Sequence, residues 1–274
     1  MVEYVIANAT VVPVRENPSE GAEQLTQLLF GEVCEVLDRL PRWTKIRSTL
    51  DGQEGWVDFK MVSLASSLIA SSPHRLDTIV ATPMAAATPM DGGADLLLTL
   101  GTRLPNYSHG TFEVLGQQYL INPTCVSTAQ RSTGEADLQQ SDLQRSDLAT
   151  IAQSLLNAPY LWGGKNLMGI DCSGFTQVVY AAMGVNLLRN AREQMTQGEL
   201  VSSLSESLTG DLAFFDHADR DPKATNISHV GLLLSPTEII HCSGCVHIDS
   251  IDKEGIHLSD GSLTHHLVQI KRYL

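Results

Sequence analysis

The residues best suited to chemistry are a cysteine and two histidines in the C-terminal half of the chain. Cys172 lies in the run Asp171-Cys-Ser-Gly174, at the predicted start of a helix. A thiol in the first turn of a helix faces unpaired backbone N–H groups and the positive end of the helix dipole. Both stabilise a thiolate, so the pattern predicts a nucleophilic Cys172 with a lowered pKa.

A cysteine nucleophile requires a base that a third group holds in orientation. His229 begins a β-type run in Ser228-His-Val-Gly231, and His241 ends the next run, twelve residues later, with Ser235-Pro-Thr as a turn between them. Neighbouring antiparallel strands would bring the two rings together, so that one imidazole sets the tautomer of the other. We therefore expect His229 to be the base and His241 its orienting partner.

The elements around these residues predict an α+β domain over residues 143–274. Ser146 is a suitable N-cap for a helix over residues 147–156, and a second helix is expected over residues 173–183. Runs of β-forming residues follow, which is typical of helices packed on an antiparallel sheet. The predicted strands are Asp211–Phe215, His229–Leu234, Glu238–His241, Val246–Asp249 and Leu267–Lys271.

The N-terminal half predicts two small all-β barrels, at residues 1–66 and 75–130. Each contains several short β-type runs separated by turn residues, at similar spacing, as expected for two copies of one module. A Ser/Ala-rich connector over residues 63–73 lies between them, and a polar linker over residues 127–141 leads to the last domain. The expected strands are Val2–Ile6, Thr10–Val14, Glu32–Leu37, Trp43–Arg47 and Gly55–Val57, then Thr78–Ala81, Asp95–Leu100, Arg103–Leu104, Thr111–Leu115 and Gln118–Ile121.

Five separated motifs of the C-terminal half resemble, in their order, the NlpC family of papain-like cysteine peptidases, which cleave bacterial cell-wall peptides. The N-terminal half, with a hairpin that ends in Gly55-Trp-Val57, resembles bacterial SH3-like domains; the second copy lacks that ending. The resemblance implies a papain-like catalytic domain behind two SH3-like barrels. The five motifs are Tyr160-Leu-Trp-Gly-Gly, Asp171-Cys-Ser-Gly-Phe, Gly210-Asp-Leu-Ala-Phe-Phe, Ser228-His-Val-Gly and Ile240-His-Cys-Ser.

The same resemblance implies a γ-D-glutamyl-L-diamino acid endopeptidase that acts on murein stem peptides, in cell-wall peptide recycling and without a metal or cofactor. Tyr160 would then lie near the scissile carbonyl and help to stabilise the oxyanion. Asp171 and Ser173 would bind the free amino group of the N-terminal L-Ala, a role that suits a carboxylate and a hydroxyl. Among the barrel residues, Trp56 is the candidate for a ligand contact.

Several of these residues have a plain structural alternative. Asp171 is also a suitable helix N-cap, and His241 can be an ordinary strand histidine. Tyr160 and Trp162 can pack a loop corner. Cys34 and Cys125 fall within strand patterns and are expected to be small buried residues. Two other functions stay open: a related amidase or acyltransferase with the same Cys-His pair, and a non-catalytic protein that binds wall peptides.

The cysteines Cys242 and Cys245 form a C-x-x-C with a histidine before it and another two residues after it. This pattern is typical of zinc or redox sites. It lies within a predicted hairpin and has no second C-x-x-C, and residues three apart on a strand point to opposite sides. We therefore expect no metal there.

Charge and composition exclude some classes of partner. The 274 residues hold 18 Lys and Arg against 31 Asp and Glu, a net charge of −13, which repels nucleic acid and acidic membrane surfaces. No apolar run approaches the ~18–20 residues of a membrane span. Five cysteines do not suggest a disulfide framework. The run Met1-Val-Glu-Tyr-Val-Ile6 is unlike a signal peptide, so a cytoplasmic location is expected unless a leader has been removed.

Overall fold

The computed structural model of the chain describes residues 2–65, 78–128, 138–217 and 226–274, with the side chains of residues 128, 138–142 and 217 left out. The chain divides into two compact units. Unit 1 comprises Met1–Arg131 with Trp162–Leu167, and unit 2 comprises Ser132–Leu161 with Met168–Leu274. Most of the predicted connector and the middle of the predicted linker lie outside the described residues. No helix of the described ranges is long and apolar enough to cross a membrane.

The first part of unit 1 is a seven-stranded antiparallel sheet. Strand order is β3-β2-β6-β5-β4-β1-β7. Buried and half-buried residues alternate along β2 and β6, which places Val12, Val14 and Val57 in a common core with Ile46 and Cys34. The five predicted strands are present, and β3 and β7 were not predicted. The strands are β1 (Tyr4–Ala7), β2 (Val11–Arg15), β3 (Gln24–Leu29), β4 (Val33–Arg39), β5 (Trp43–Ser48), β6 (Glu54–Asp58) and β7 (Val62–Leu64), with a 3₁₀ turn at Phe59–Met61.

The second part of unit 1 is a four-stranded sheet of order β10-β9-β12-β11 and a separate β8–β13 pair. Its core includes Ile6, Phe30 and Val33 of the first part together with Val80 and Phe112 of the second. The two predicted modules therefore share buried residues, and a second SH3-like barrel stays a prediction. Arg103 forms a single bridge with Ile79 in place of the strand expected at residues 103–104. The strands are β8 (Thr78–Val80), β9 (Met84–Pro89), β10 (Leu96–Thr99), β11 (Thr111–Val114), β12 (Gln117–Ile121) and β13 (Val126–Thr128), with a 3₁₀ turn at Pro123–Cys125.

A buried ion pair joins the Trp162–Leu167 segment to the rest of unit 1. Lys165 Nζ lies 3.1 Å from Glu32 Oε1, and both side chains are less than a tenth exposed. Gln27 Oε1 accepts hydrogen bonds from the backbone N–H of Lys165 and from Asn166 Nδ2, each at 2.9 Å. Trp162 Nε1 donates to Glu23 Oε1 at 2.8 Å. The segment contains the short strand β14 (Lys165–Asn166).

Unit 2 is built on an antiparallel sheet that closes on itself. Its order is β16-β22-β17-β18-β19-β20-β21, and β21 also pairs with β22, which completes a ring of six strands. Phe215, Leu233, Ile239 and Ile270 lie in its core. All five predicted strands of this unit are present. The strands are β15 (Gly169–Ile170), β16 (Glu199–Val201), β17 (Leu212–His217), β18 (His229–Ser235), β19 (Glu238–Ser243), β20 (Cys245–Ile251), β21 (Gly255–His257) and β22 (Leu263–Arg272), with a 3₁₀ turn at Leu204–Glu206.

Within the described residues of unit 2, three helices accompany this sheet: α1 (Leu138–Gln153), α2 (Cys172–Ala181) and α3 (Ala191–Gln194). Helix α2 packs on β18 and β19 and on α1. The predicted start of α1 at residue 147, after a Ser146 N-cap, is wrong, because the helix begins nine residues earlier, within the predicted linker. Gln and Leu make up five of the eight residues 138–145, and both are good helix formers. The helix also ends at Gln153, before the predicted residue 156.

Candidate active site

Cys172 is the first residue of α2, as the sequence predicts. Asp171 is the N-cap, with an extended backbone, and its Oδ1 accepts the N–H of Gly174 at 2.6 Å. The Cys172 side chain is buried, and its sulfur accepts hydrogen bonds from the backbone N–H groups of Ser173 and Val230. Because Val230 directly follows His229 on β18, the thiol lies at the strand that carries the predicted base.

The predicted lowering of the Cys172 pKa is wrong. Burial and the nearby Asp171 carboxylate raise the pKa of the thiol to about 12. The N–H donors of Ser173 and Val230 and the charge of Arg189 lower it by less. Removing the sulfur from water thus outweighs these two N–H donors and the charge of Arg189, so they do not by themselves make a thiolate. A proton acceptor is needed.

His229 and His241 meet as predicted. His229 Nε2 lies 2.8 Å from His241 Nδ1, and both side chains are buried. His241 pairs with Gly231 across β18 and β19, so His229, two residues before Gly231, lies diagonally opposite on the same face. A Cβ at Gly231 would lie 2.8 Å from the Cβ of His241. Glycine at this position therefore gives the His241 ring the space it occupies.

The acid at the end of this chain is Asp249, which the sequence analysis did not single out. Its Oδ2 lies 3.1 Å from His241 Nε2. His247 pairs directly with His241 across β19 and β20, which places Asp249, two residues later, on the same face. Hydrogen bonding to His241 holds the pKa of Asp249 below its ordinary value, so the carboxylate is ionised at neutral pH. In the sequence, Asp249 is marked only by its position two residues after His247. That spacing indicates an acid that contacts His241 only once the strand register is known.

This geometry sets the tautomers of both rings. Burial lowers the pKa of His241, so the ring is neutral at pH 7. An ionised carboxylate only accepts, so His241 donates its Nε2–H to Asp249 and its Nδ1 accepts. His229 must then donate from Nε2, which leaves Nδ1 as the basic nitrogen of that ring. The arrangement can take a proton from a thiol on the Nδ1 side.

Asp171 and Ser173, the predicted amine-binding residues, both contact Arg189, which the sequence analysis missed. Arg189 Nη2 lies 2.5 Å from Asp171 Oδ2, its Nη1 lies 3.1 Å from Oδ1, and the same Nη1 donates to Ser173 Oγ at 2.8 Å. All three side chains are buried. The Asp171 carboxylate is therefore both an N-cap and half of a buried ion pair, and its amine-binding role stays a prediction.

The remaining predicted residues differ in their exposure and in the unit to which they belong. Tyr160 is about one-third exposed, and burial raises the pKa of its phenol, with smaller contributions from Cys172 and Asp171. Trp56 is half-buried on β6 in unit 1, where it pairs with Lys45. Cys34 is buried as expected, whereas Cys125 is only half-buried.

The C-x-x-C is split between two strands. Gly244, with φ of +77°, makes the turn between β19 and β20, so Cys242 and Cys245 lie on opposite arms of the hairpin. Cys242 is buried and its thiol donates to the Ile170 carbonyl, and Cys245 is half-buried. Among the described residues, the candidate metal ligands that cluster are His241, His247 and Asp249, and neither cysteine is among them.

A cysteine at a helix N-terminus beside a strand-borne histidine pair, on a closed antiparallel sheet, is a Cys-His hydrolase type of site. The sequence profile of the NlpC/P60 family matches residues 157–262, and that of the bacterial SH3 domain matches residues 10–63. Residues 157–262 therefore form an NlpC/P60 family domain, and residues 10–63 before it form a bacterial SH3 domain.

Two curated relatives match most of the chain. The gamma-D-glutamyl-L-lysine dipeptidyl-peptidase of Bacillus subtilis (strain 168) is 29% identical over 229 residues, covering 79% of this chain and 71% of the relative. A protein of the same name from Bacillus cereus (strain ATCC 10987 / NRS 248) is 26% identical over 230 residues, with 79% and 66% covered. The chain thus spans about two thirds of the length of these relatives.

A solved structure shares the fold along the whole chain. The crystal structure of an NlpC/P60 family protein from Bacillus cereus ATCC 10987 matches with a TM-score of 0.80 at 20% identity, covering 99% of each chain. An NlpC/P60 endopeptidase from Photobacterium damselae subsp. piscicida matches with a TM-score of 0.66 at 17% identity, over 97% of this chain and 70% of that one.

Proposed function

We propose that the chain is a cysteine endopeptidase that hydrolyses the γ-D-glutamyl–L-diamino acid bond of murein stem peptides with a free N-terminal L-Ala, in cell-wall peptide recycling. One observation carries the chemistry: the hydrogen-bonded series Asp249, His241 and His229 leaves a basic Nδ1 on a ring whose neighbour Val230 donates its N–H to the Cys172 sulfur. The names of the two Bacillus relatives support the choice of bond.

Cys172 is the nucleophile and His229 the general base and acid in this proposal. As the sulfur attacks the carbonyl carbon, the thiol proton passes to Nδ1 of His229. That proton then goes to the departing amine as the C–N bond breaks, which leaves the dipeptide as a thioester on Cys172. Water attacks the thioester, His229 takes its proton, and the free carboxylate leaves as the thiol is restored.

The neutral thiol of the resting protein fits this order of events. Burial raises the pKa of Cys172 to about 12, so proton transfer accompanies attack instead of preceding it. Tyr160, whose pKa is raised, keeps its phenolic proton and serves as a donor to the oxyanion, together with the Cys172 N–H. His241 is a positioning residue, since it acts on His229 and not on the substrate.

The free amino group of the substrate is assigned to the Asp171 and Ser173 end of the site. Arg189 already contacts both residues, so an ammonium group would share the Asp171 carboxylate with a guanidinium. The guanidinium repels a second cation beside it, so an ammonium group gains less from this carboxylate than it would from an unpaired one. We therefore expect the free amine to improve binding modestly and to affect KM more than kcat.

The test uses the full chain and the peptides L-Ala-γ-D-Glu-L-Lys and L-Ala-γ-D-Glu-diaminopimelate, with products read by mass spectrometry. Release of L-Ala-D-Glu is expected from at least one of them, and the Cys172→Ala variant should release none while still binding the peptide. Intact peptide after long incubation with the wild type would contradict the proposal. Binding without cleavage by the wild type would favour a non-catalytic role.

A matched pair of substrates tests the amine assignment separately. The same peptide with an acetylated L-Ala amine should be cleaved with a raised KM. Equal KM values for the free and the acetylated peptide would remove Asp171 and Ser173 from substrate recognition and leave the cleaved bond unaffected.

A further inference from the structure

The three side chains His241, His247 and Asp249 gather their ligand atoms at one point on the outer side of the histidine pair. His241 Nε2 and His247 Nε2 lie 3.1 and 3.0 Å from the same oxygen, Oδ2 of Asp249. All three atoms lie within 4.8 Å of one another. The His247 side chain is 31% exposed and that of Asp249 16%, so the cluster is open to solvent on the side away from His229.

The hydrogen bonds of His247 leave two lone pairs facing each other unless a cation lies between them. Its Nδ1 lies 2.8 Å from the Cys245 carbonyl oxygen, which only accepts, so this nitrogen carries the proton. In the neutral ring the Nε2 lone pair then faces the Asp249 carboxylate at 3.0 Å. Two lone pairs at that distance repel each other. Either a second proton on His247 or a metal ion bound to both groups removes the conflict.

The donor set selects a borderline transition metal over magnesium or calcium. Two imidazoles and one carboxylate suit Zn²⁺, whereas Mg²⁺ and Ca²⁺ prefer oxygen ligands. Zinc binds such donors at about 2.0–2.2 Å, so tetrahedral ligand atoms lie about 3.3 Å apart. The two N–O separations are close to that value. The bond from His247 Nδ1–H to a backbone carbonyl is also the usual outer contact that orients a zinc-bound histidine.

We propose that His241, His247 and Asp249 form an inhibitory zinc site, with water as the fourth ligand. The ion would replace the proton between His241 and Asp249. The inhibition of cleavage by zinc rests on the proposed peptidase function. The binding of zinc rests only on the cluster of three side chains.

Inhibition follows from the tautomers. Zinc takes the Nε2 lone pair of His241, so this neutral ring must carry its proton on Nδ1. That N–H then donates to Nε2 of His229, whose own proton moves to Nδ1. Each ring keeps one proton, exchanged through solvent, and any extra proton on His247 is released. His229 now presents N–H where it needs a lone pair, so it accepts no proton from Cys172.

Binding is measured first, independently of activity. The full-length Cys172→Ser variant, which lacks the reactive thiol, is titrated with ZnCl₂ by isothermal calorimetry, with an expected stoichiometry of one. Adding His247→Gln should weaken binding at least tenfold. Adding Cys245→Ala instead should leave it within twofold, which separates this site from the C-x-x-C. No binding, or loss with Cys245→Ala and not with His247→Gln, would overturn the site.

Activity is measured second, as the ratio of rates with and without saturating ZnCl₂ for each protein. Zinc should slow the wild type more than tenfold and His247→Gln less than twofold. An equal slowing of both would place the inhibitory zinc elsewhere. If the wild type cleaves neither peptide without zinc, the proposed function fails, and the calorimetry still decides the metal site.

Discussion

Oδ2 of Asp249 lies 3.1 Å from Nε2 of His241, on the side of the ring opposite His229. A carboxylate two strands away from the base thus determines which nitrogen of the base carries the proton. The contact passes through two diagonal neighbours, His229 to His241 across β18 and β19, and His241 to Asp249 across β19 and β20. Two consecutive register relationships therefore make Nδ1 of His229 a proton acceptor, on the strand whose Val230 N–H bonds to the Cys172 sulfur.

Asp249→Asn should lower kcat by roughly 10- to 100-fold with little change in KM, the size typical of losing an outer partner of a site. The Asn amide can donate to His241 Nε2, which favours the opposite tautomer along the whole series. Steady-state kinetics with the murein peptide measures both constants. Glu254→Gln is the matched control, since it removes an exposed carboxylate five residues away. A fall in kcat of the same size in both variants would contradict the role of Asp249 in setting the tautomers of His241 and His229.

The pH profile separates orientation from a structural role of Asp249. The pKa of Asp249 is below its ordinary value in the folded protein. The charged carboxylate therefore orients His241 at neutral pH, and this orientation is lost as the pH falls through the folded pKa. The wild type should therefore keep the hydrogen-bonded series from Asp249 through His241 to His229 over the whole neutral pH range. In Asp249→Asn the acid limb of kcat against pH should move. An unchanged profile with a lower plateau would indicate misfolding of the site.

His229→Ala should slow the alkylation of Cys172 by iodoacetamide at pH 7 at least tenfold. The thiol has a pKa of about 12 from burial and Asp171, so without a proton acceptor the thiolate is scarce. The variant should approach the wild type only as the pH rises far above neutral. Peptide mass mapping of the labelled Cys172 measures the rate. Equal rates at pH 7 would mean that the helix N-terminus alone activates the thiol.

Arg189→Met should destabilise unit 2 by about 3–5 kcal/mol, because it leaves the buried Asp171 carboxylate without its cation. Hydrogen exchange of the α2 amides measures this loss in the unit concerned. Arg192→Met is the control, since Arg192 is exposed and bonds only to the Asn226 side chain among the described residues. Equal protection in both variants would mean that the pair adds nothing to stability.

Lys165→Met should lower the free energy of unfolding of unit 1 by about 3–5 kcal/mol, since the buried Glu32 carboxylate would lose its cation and must stay charged without it or take up a proton. Burial already raises the pKa of Glu32 despite Lys165. Adding Glu32→Gln should recover most of the loss. All three tryptophans lie in unit 1, so their fluorescence in urea reports its unfolding. The exposed Lys60→Met is the control, and an equal shift in it would contradict the argument.

The amino-acid sequence by itself determined the parts of the site that are close together along the chain. The N-cap Asp171 and the thiol at the start of α2 follow from four consecutive residues, and the pairing of His229 with His241 follows from a hairpin of short span. The strands of unit 2 were readable because apolar runs with clear turns separate them. Such features depend on backbone propensity and local spacing, which a sequence displays directly.

Only the tertiary structure decided which charges meet. Arg189 reaches Asp171 from a loop 18 residues away, and Asp249 reaches His241 only because β20 pairs in one register; a shift by one residue would turn it to the other face. The pKa of Cys172 depended on the depth of burial, which raises it by more than the backbone N–H donors and Arg189 lower it. Burial and register come from packing between distant segments, and no local pattern carries that information.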